Sequence, residues 1–166
     1  MSDQGAVYLA FIEGELKAER ERRSAYDARG QALVTTSGAL VTLLTGLAAV
    51  AKAGTTVRVP AGALAVLVAA IVLFVCAAAS GIVAGWNRHY ALAASTTLDR
   101  MLNEHWTDDE VDARNNVATL HSRTVHTLRR ANAFKAACVS IGLIAQVLAL
   151  SALGATVLIV IGIASA

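Results

Sequence analysis

Residues 61–86 read AGALAVLVAAIVLFVCAAASGIVAGW. No Asp, Glu, Lys or Arg interrupts the run, and Ala, Leu and Val dominate it. A hydrocarbon core of about 30 Å takes about 20 helical residues to cross, so this stretch is long enough. A soluble core helix of the same length would carry polar residues along one face at the 3.6-residue period. This one does not, and it sets the expectation for the whole chain: an all-α integral membrane helical bundle.

Two further stretches have the same character. Residues 31–51 and residues 136–166 also lack all four charged types. Three transmembrane helices are therefore expected, with spans 31–51 and 61–86 forming a hairpin. Pro60 falls at the first turn of the second span, where its missing N–H is harmless. The Ala-Gly-Thr-Thr run of residues 53–56 makes a short outer loop. The first thirty residues are highly charged, so no signal peptide is read there.

Of the 14 Lys and Arg in the chain, only Lys52 and Arg58 fall between the first two spans. The rest lie in residues 1–30 and 87–135. The positive-inside bias places those two segments in the cytoplasm and the C-terminus outside. Residues 1–30 are expected as one cytosolic helix, supported by Glu13 with Lys17 and Glu19 with Arg23 at i, i+4. Its apolar residues Val7, Leu9, Phe11, Ile12 and Leu16 gather at the end far from the first span. Residues 87–135 form a cytosolic helical link in two parts. Tyr90, Ala94, Leu98, Met101 or Leu102, and His105 mark one stripe. Thr107 to Glu110 matches the S/T-x-x-E capping box and starts a second helix with Val117, Leu120, Thr124, Leu128 and Ala131 on one side. These cytosolic helices are expected to protrude from the bundle.

Composition bounds the chemistry. The chain is 56% hydrophobic, 16% charged and 5% aromatic, with a mean hydropathy of +0.57. Soluble domains carry about 25% charge. A net charge of +2 gives no electrostatic footprint for nucleic acid, and none is expected as a partner. Cys76 and Cys138 lie in or beside apolar spans and read as packing residues. His121 and His126 are five apart and do not share a helix face as a metal pair should; His89 and His105 stand alone. No nucleophile elbow, Walker loop or Rossmann glycine pattern is present. The expectation is a non-enzyme with no cofactor and no metal. No ionisable residue sits at the centre of a span, which argues against a pump or carrier.

Small residues recur at four-residue spacing: Gly38, Thr42 and Gly46 in the first span, Ala77, Gly81 and Gly85 in the second. Such stripes let helices approach closely, within one chain or in a homo-oligomer. Gln146 is the costliest polar side chain in the spans, because lipid offers its amide no partner. Arg123, Arg129 and Arg130 are the candidate contacts for a soluble anion, since guanidinium forks pair well with phosphate.

The organisation resembles a known class. The carrying stretches are ARGQALVTTSGALVTLL at 28–44 and RANAFKA at 130–136. With the hairpin and helical link between them, they look like small actinobacterial integral membrane proteins. More remotely they resemble the transmembrane effectors of the Pycsar antiphage systems, and the layout is similar to the SLATT effectors. That resemblance implies a sensor of cyclic UMP or cyclic CMP that impairs inner-membrane integrity, by a pore or by membrane disruption. The competing expectation is a small non-catalytic channel or an accessory subunit of a membrane complex.

Overall fold

The computed structural model describes residues 4–54, 61–86 and 90–164. Pro60 and the other residues of 55–60, together with Arg88 and His89, lie outside the described residues, and Ala53 and Gly54, expected in the outer loop, are instead the last residues of the first helix. Four helices follow in order: α1 (Gln4–Gly54), α2 (Ala61–Gly85), α3 (Ser95–Asn103) and α4 (Glu110–Ala164). Among the described residues there is no strand. Helices α1 and α4 each run unbroken from a charged segment into an apolar one, because neither contains a proline. The chain divides into two compact units, residues 1–25 with 87–134 and residues 26–86 with 135–166.

Two helices, α2 and the apolar part of α4, are long and apolar enough to cross a membrane. Only 22% of the most apolar window of α2 and 17% of that of α4 are buried. Leu64, Val68, Val72 and Ile82 of α2, and Ile141, Ile144, Val147 and Leu158 of α4, face outward. Residues 31–51, the remaining expected span, are helical within α1. Among the described residues they do not add a further crossing by length and composition.

In the second unit the seam follows a seven-residue rhythm. Ala63, Ala70, Ala77 and Ala84 of α2 are fully buried, with Phe74 and Gly81 between them. The Ala77–Gly81–Gly85 stripe read from the sequence is thus corrected to Ala77–Gly81–Ala84. Steps of four residues drift by about 40° each around a helix of 3.6 residues per turn, whereas alternating steps of three and four hold one face. Gly85 has rotated off the seam, and nothing lies within 4 Å of where its Cβ would stand.

Three glycines make the tight contacts. A Cβ on Gly81 would stand 2.6 Å from the Gly30 carbonyl oxygen, and one on Gly30 would stand 3.0 Å from the Gly81 carbonyl oxygen. A Cβ on Gly142 would meet Leu33 Cδ1 at 2.8 Å and the Ala77 carbonyl oxygen at 3.3 Å. Leu33, Ala84 and Val139 pack together beside them, with Cys138 against the cluster.

In the first unit, Leu16 of α1 packs with Val125 and Leu128 of α4, and Tyr90 covers them. Val7 and Phe11 are exposed. The helical stripe expected from Tyr90 onward is shorter than read. Residues 90–94 are not helical, and α3 begins at Ser95 after an extended Ala94 (φ −65°, ψ 152°). Tertiary bonds hold this stretch out. The Ala91 N–H donates to Thr127 Oγ1 at 3.1 Å, and the Arg23 guanidinium lies 4.5 Å over the Tyr90 ring. The capping box is also displaced. Helix α4 starts at Glu110, and the Ala113 N–H donates to the Asp109 carbonyl. Asp109 therefore occupies the cap position. Thr107 sits inside a turn closed by His105 Nδ1 against Asp108 Oδ2 at 2.9 Å.

These contacts separate two glycines that the sequence groups together. Gly81→Leu pushes a side chain into backbone and is expected to cost the protein about 1–3 kcal/mol or more, the range for overpacking a tight contact. Gly85→Leu meets open space and leaves stability unchanged. Thermal unfolding of the detergent-solubilised protein measures both. If Gly85→Leu instead shifts the solubilised species toward smaller forms, that glycine serves association between copies.

Candidate functional site

A buried carboxylate organises the first unit. Glu19 is only 2% exposed, which is costly for a charge unless it is well bonded. Its Oε1 accepts from Arg22 at 2.8 Å and from Arg129 Nε at 3.4 Å, and its Oε2 accepts from Asn132 Nδ2 at 2.9 Å. The same Asn132 amide also donates to the Glu19 carbonyl oxygen at 2.9 Å. Arg129 reaches a second carboxylate, Glu15, one turn earlier. The result is a polar clamp between α1 and α4.

The same unit contains a cleft of about 680 Å³ where α3 and the following turn lie against the start of α4. Arg100 and Met101 come from α3, and His105, Trp106 and Asp108 from the turn. Asn116, Val117, Leu120 and Arg123 come from α4. Val117, Leu120 and Met101 supply apolar floor. Asp108 is already paired with His105. The other arginines nearby are engaged elsewhere, Arg114 with Glu110 and Arg129 with Glu15 and Glu19.

Several polar groups in the second unit find partners inside it, while the fully buried Ser37 Oγ has none among the described residues. Lys135, 1% exposed, pairs with Asp27. Gln146 Nε2 donates to Thr36 Oγ1 at 2.9 Å, so its amide has a partner in the neighbouring helix. The hydroxyls of Thr35, Thr36, Thr42, Ser80 and Ser151 each donate to the carbonyl four residues earlier, at 2.8–3.0 Å. Hydroxyls bonded in this way need nothing further from their surroundings. Cys76 is an exposed free thiol and Cys138 a half-buried one. Among the described residues, no group of three or more His, Cys, Asp or Glu is placed to hold a metal ion.

The three arginines named from the sequence do not converge. Arg123 lines the cleft, Arg129 is held in the Glu19 clamp, and Arg130 is exposed. Arg123 and Arg130 are seven apart, whereas Arg129 points about 120° around the helix from Arg123. Gly38 and Gly46 face open space, as Gly85 does, while Gly81 is filled by α1. Sequence reasoning passed over Arg100, read Glu19 only as a helix-surface partner of Arg23, and passed over Asn132. A signal for the last two existed. Glu19 falls three residues after the buried Leu16, and Asn132 falls four after Leu128, so both continue a core face.

Arg129→Gln removes the inter-helix cation from a buried carboxylate. It is expected to destabilise the protein by roughly 1–3 kcal/mol, the range for hydrogen bonds to charged groups. Arg130→Gln, an exposed change, stays within about 0.5 kcal/mol. Thermal unfolding with the two variants side by side checks this.

Comparison with protein-family models finds none that matches this chain, and comparisons with curated proteins and with solved structures find no match.

Proposed function

We propose that this chain is a multi-pass protein of a bacterial inner membrane. It crosses three times, with the N-terminus and the 87–135 link in the cytoplasm and the C-terminus outside. The observation that carries the reading is the outward-facing apolar surface of α2 and α4. In water, such surface forgoes about 25 cal/mol per Å² of burial, whereas in a bilayer the same surface is matched. The distribution of Lys and Arg supports that orientation.

Within that membrane the chain acts as a non-catalytic effector of a Pycsar-like antiphage system, as a homo-oligomer. A soluble messenger, cyclic UMP or cyclic CMP, acts on the charged helices and alters the packing of the spans, so that the membrane loses integrity. The resemblance of residues 28–44 and 130–136 motivates the messenger. Those stretches contain Gly30, Leu33, Asn132 and Lys135, which make the tightest helix contacts. A change in the charged helices therefore has a covalent route into the spans, through the unbroken α1 and α4. Outward Gly38, Gly46 and Gly85 offer faces for association between copies.

Two measurements check the reading. A reporter active only outside the membrane is expected to work at the C-terminus and fail at the N-terminus; both tags on one side would overturn the three-span topology. Supplying cyclic UMP or cyclic CMP to cells making the protein is expected to depolarise the inner membrane. Unaltered potential and growth with both nucleotides would leave a channel or accessory subunit in its place.

A further inference from the structure

We infer that the cleft between α3 and the start of α4 is a binding site for a small organic anion that carries a flat ring. This deepens the effector reading by giving its soluble trigger a seat, but it rests on separate observations.

The first is charge. Arg100 and Arg123 come from different helices and line the same cleft. Among the described residues neither side chain has a hydrogen bond or an ion pair, while Arg22, Arg114 and Arg129 of the same unit are all paired. The single carboxylate in the lining, Asp108, is taken by His105 at 2.9 Å. The cleft is left with two guanidinium forks and no unpaired carboxylate among its lining residues, the arrangement that suits phosphate, sulfonate or carboxylate.

The second is shape and polarity. A volume of about 680 Å³ falls inside the range of small-molecule sites, about 300–1,000 Å³. Trp106 stands at its edge, 76% exposed. An indole left in water beside an apolar floor offers a ring something to stack on. The exposed Asn116 adds an amide able to donate and accept at the ring's edge. Few polar groups converging on an apolar floor is how such sites fix orientation.

The third is mechanical. Helix α3 has nine residues and none of them is buried. It is held only lightly, so a ligand bridging Arg100 and Arg123 would draw it toward α4. That contact lies on the same helix as the Glu19 clamp.

Trp106 supplies the readout. The chain has two tryptophans, so Trp86→Phe leaves Trp106 alone. The full-length protein in detergent is titrated with phenyl phosphate, inorganic phosphate and phenol while Trp106 emission is followed. Phenyl phosphate is expected to change the emission saturably, with a midpoint at least tenfold below either fragment. Arg100→Gln and Arg123→Gln are each expected to raise that midpoint tenfold or more, while Arg130→Gln, the same loss of charge outside the cleft, leaves it unchanged. Absence of saturation, a midpoint insensitive to Arg100 and Arg123, or equal binding of either fragment would overturn the site. Far-UV circular dichroism identifies a variant that has lost its helices, and Arg100→Lys, which keeps the charge without the fork, then replaces it with an intermediate midpoint expected. Binding of phenyl phosphate without any membrane response to the cyclic nucleotides sinks the effector reading and leaves the site standing.

Discussion

The contact between Gly30 and Gly81 sets the spacing of the second unit. Each glycine's missing Cβ is replaced by the other helix's backbone, so α1 and α2 meet main chain to main chain. Small residues let the two backbones approach this closely, and close van der Waals contact is what holds them. That explains why the buried face of α2 is nearly all alanine and glycine, with Phe74 the one large side chain fully enclosed there. The larger residues, Leu64, Val68, Val72 and Ile82, are turned outward. A soluble protein would arrange the two classes the other way round.

Polar groups follow the same economy in both units. The hydroxyls of Thr35, Thr36 and Thr42 are bonded to their own helix, Gln146 reaches Thr36, and Lys135 reaches Asp27. Glu19 receives three side-chain donors from two helices. Breaking one member of such a group leaves its partners buried and short of bonds. The clamp at Glu19 is therefore a register device for α1 against α4, and it draws Arg129 away from any role as a free anion contact.

That division of labour among the arginines shapes the functional reading. Arg129 is structural, Arg130 is solvated, and Arg123 is joined by Arg100 at a cleft with an aromatic edge. In the proposed function, the charged unit would seat a soluble anion and the apolar unit would face lipid. The continuous backbone of α1 and α4 is the physical link by which events at one would reach the other.

Much of this was legible in the residues. The apolar runs carry no Asp, Glu, Lys or Arg on any face, which is enough to make α2 and the apolar part of α4 long and apolar enough to cross a membrane. The lack of any breaker between Leu16 and Gly30, and between Val111 and Gly142, is enough for α1 and α4 to run on without interruption. Other features depended on the third dimension. Tyr90 and Ala94 carry a helical spacing, yet docking of the Tyr90 ring and the Ala91–Thr127 bond keep them extended. Thr107 has the right neighbours for a cap, yet the His105–Asp108 turn moves the start of α4 to Glu110. Which glycines face a neighbour could not be read from a four-residue stripe, because the seam's true repeat follows from how three helices wrap. The pairing of Arg129 with Glu15 and Glu19 joins residues more than a hundred positions apart. Local pattern fixes which segments are helical and which are apolar; only packing decides which of several similar side chains is buried, paired or left free, because that depends on partners distant in the chain.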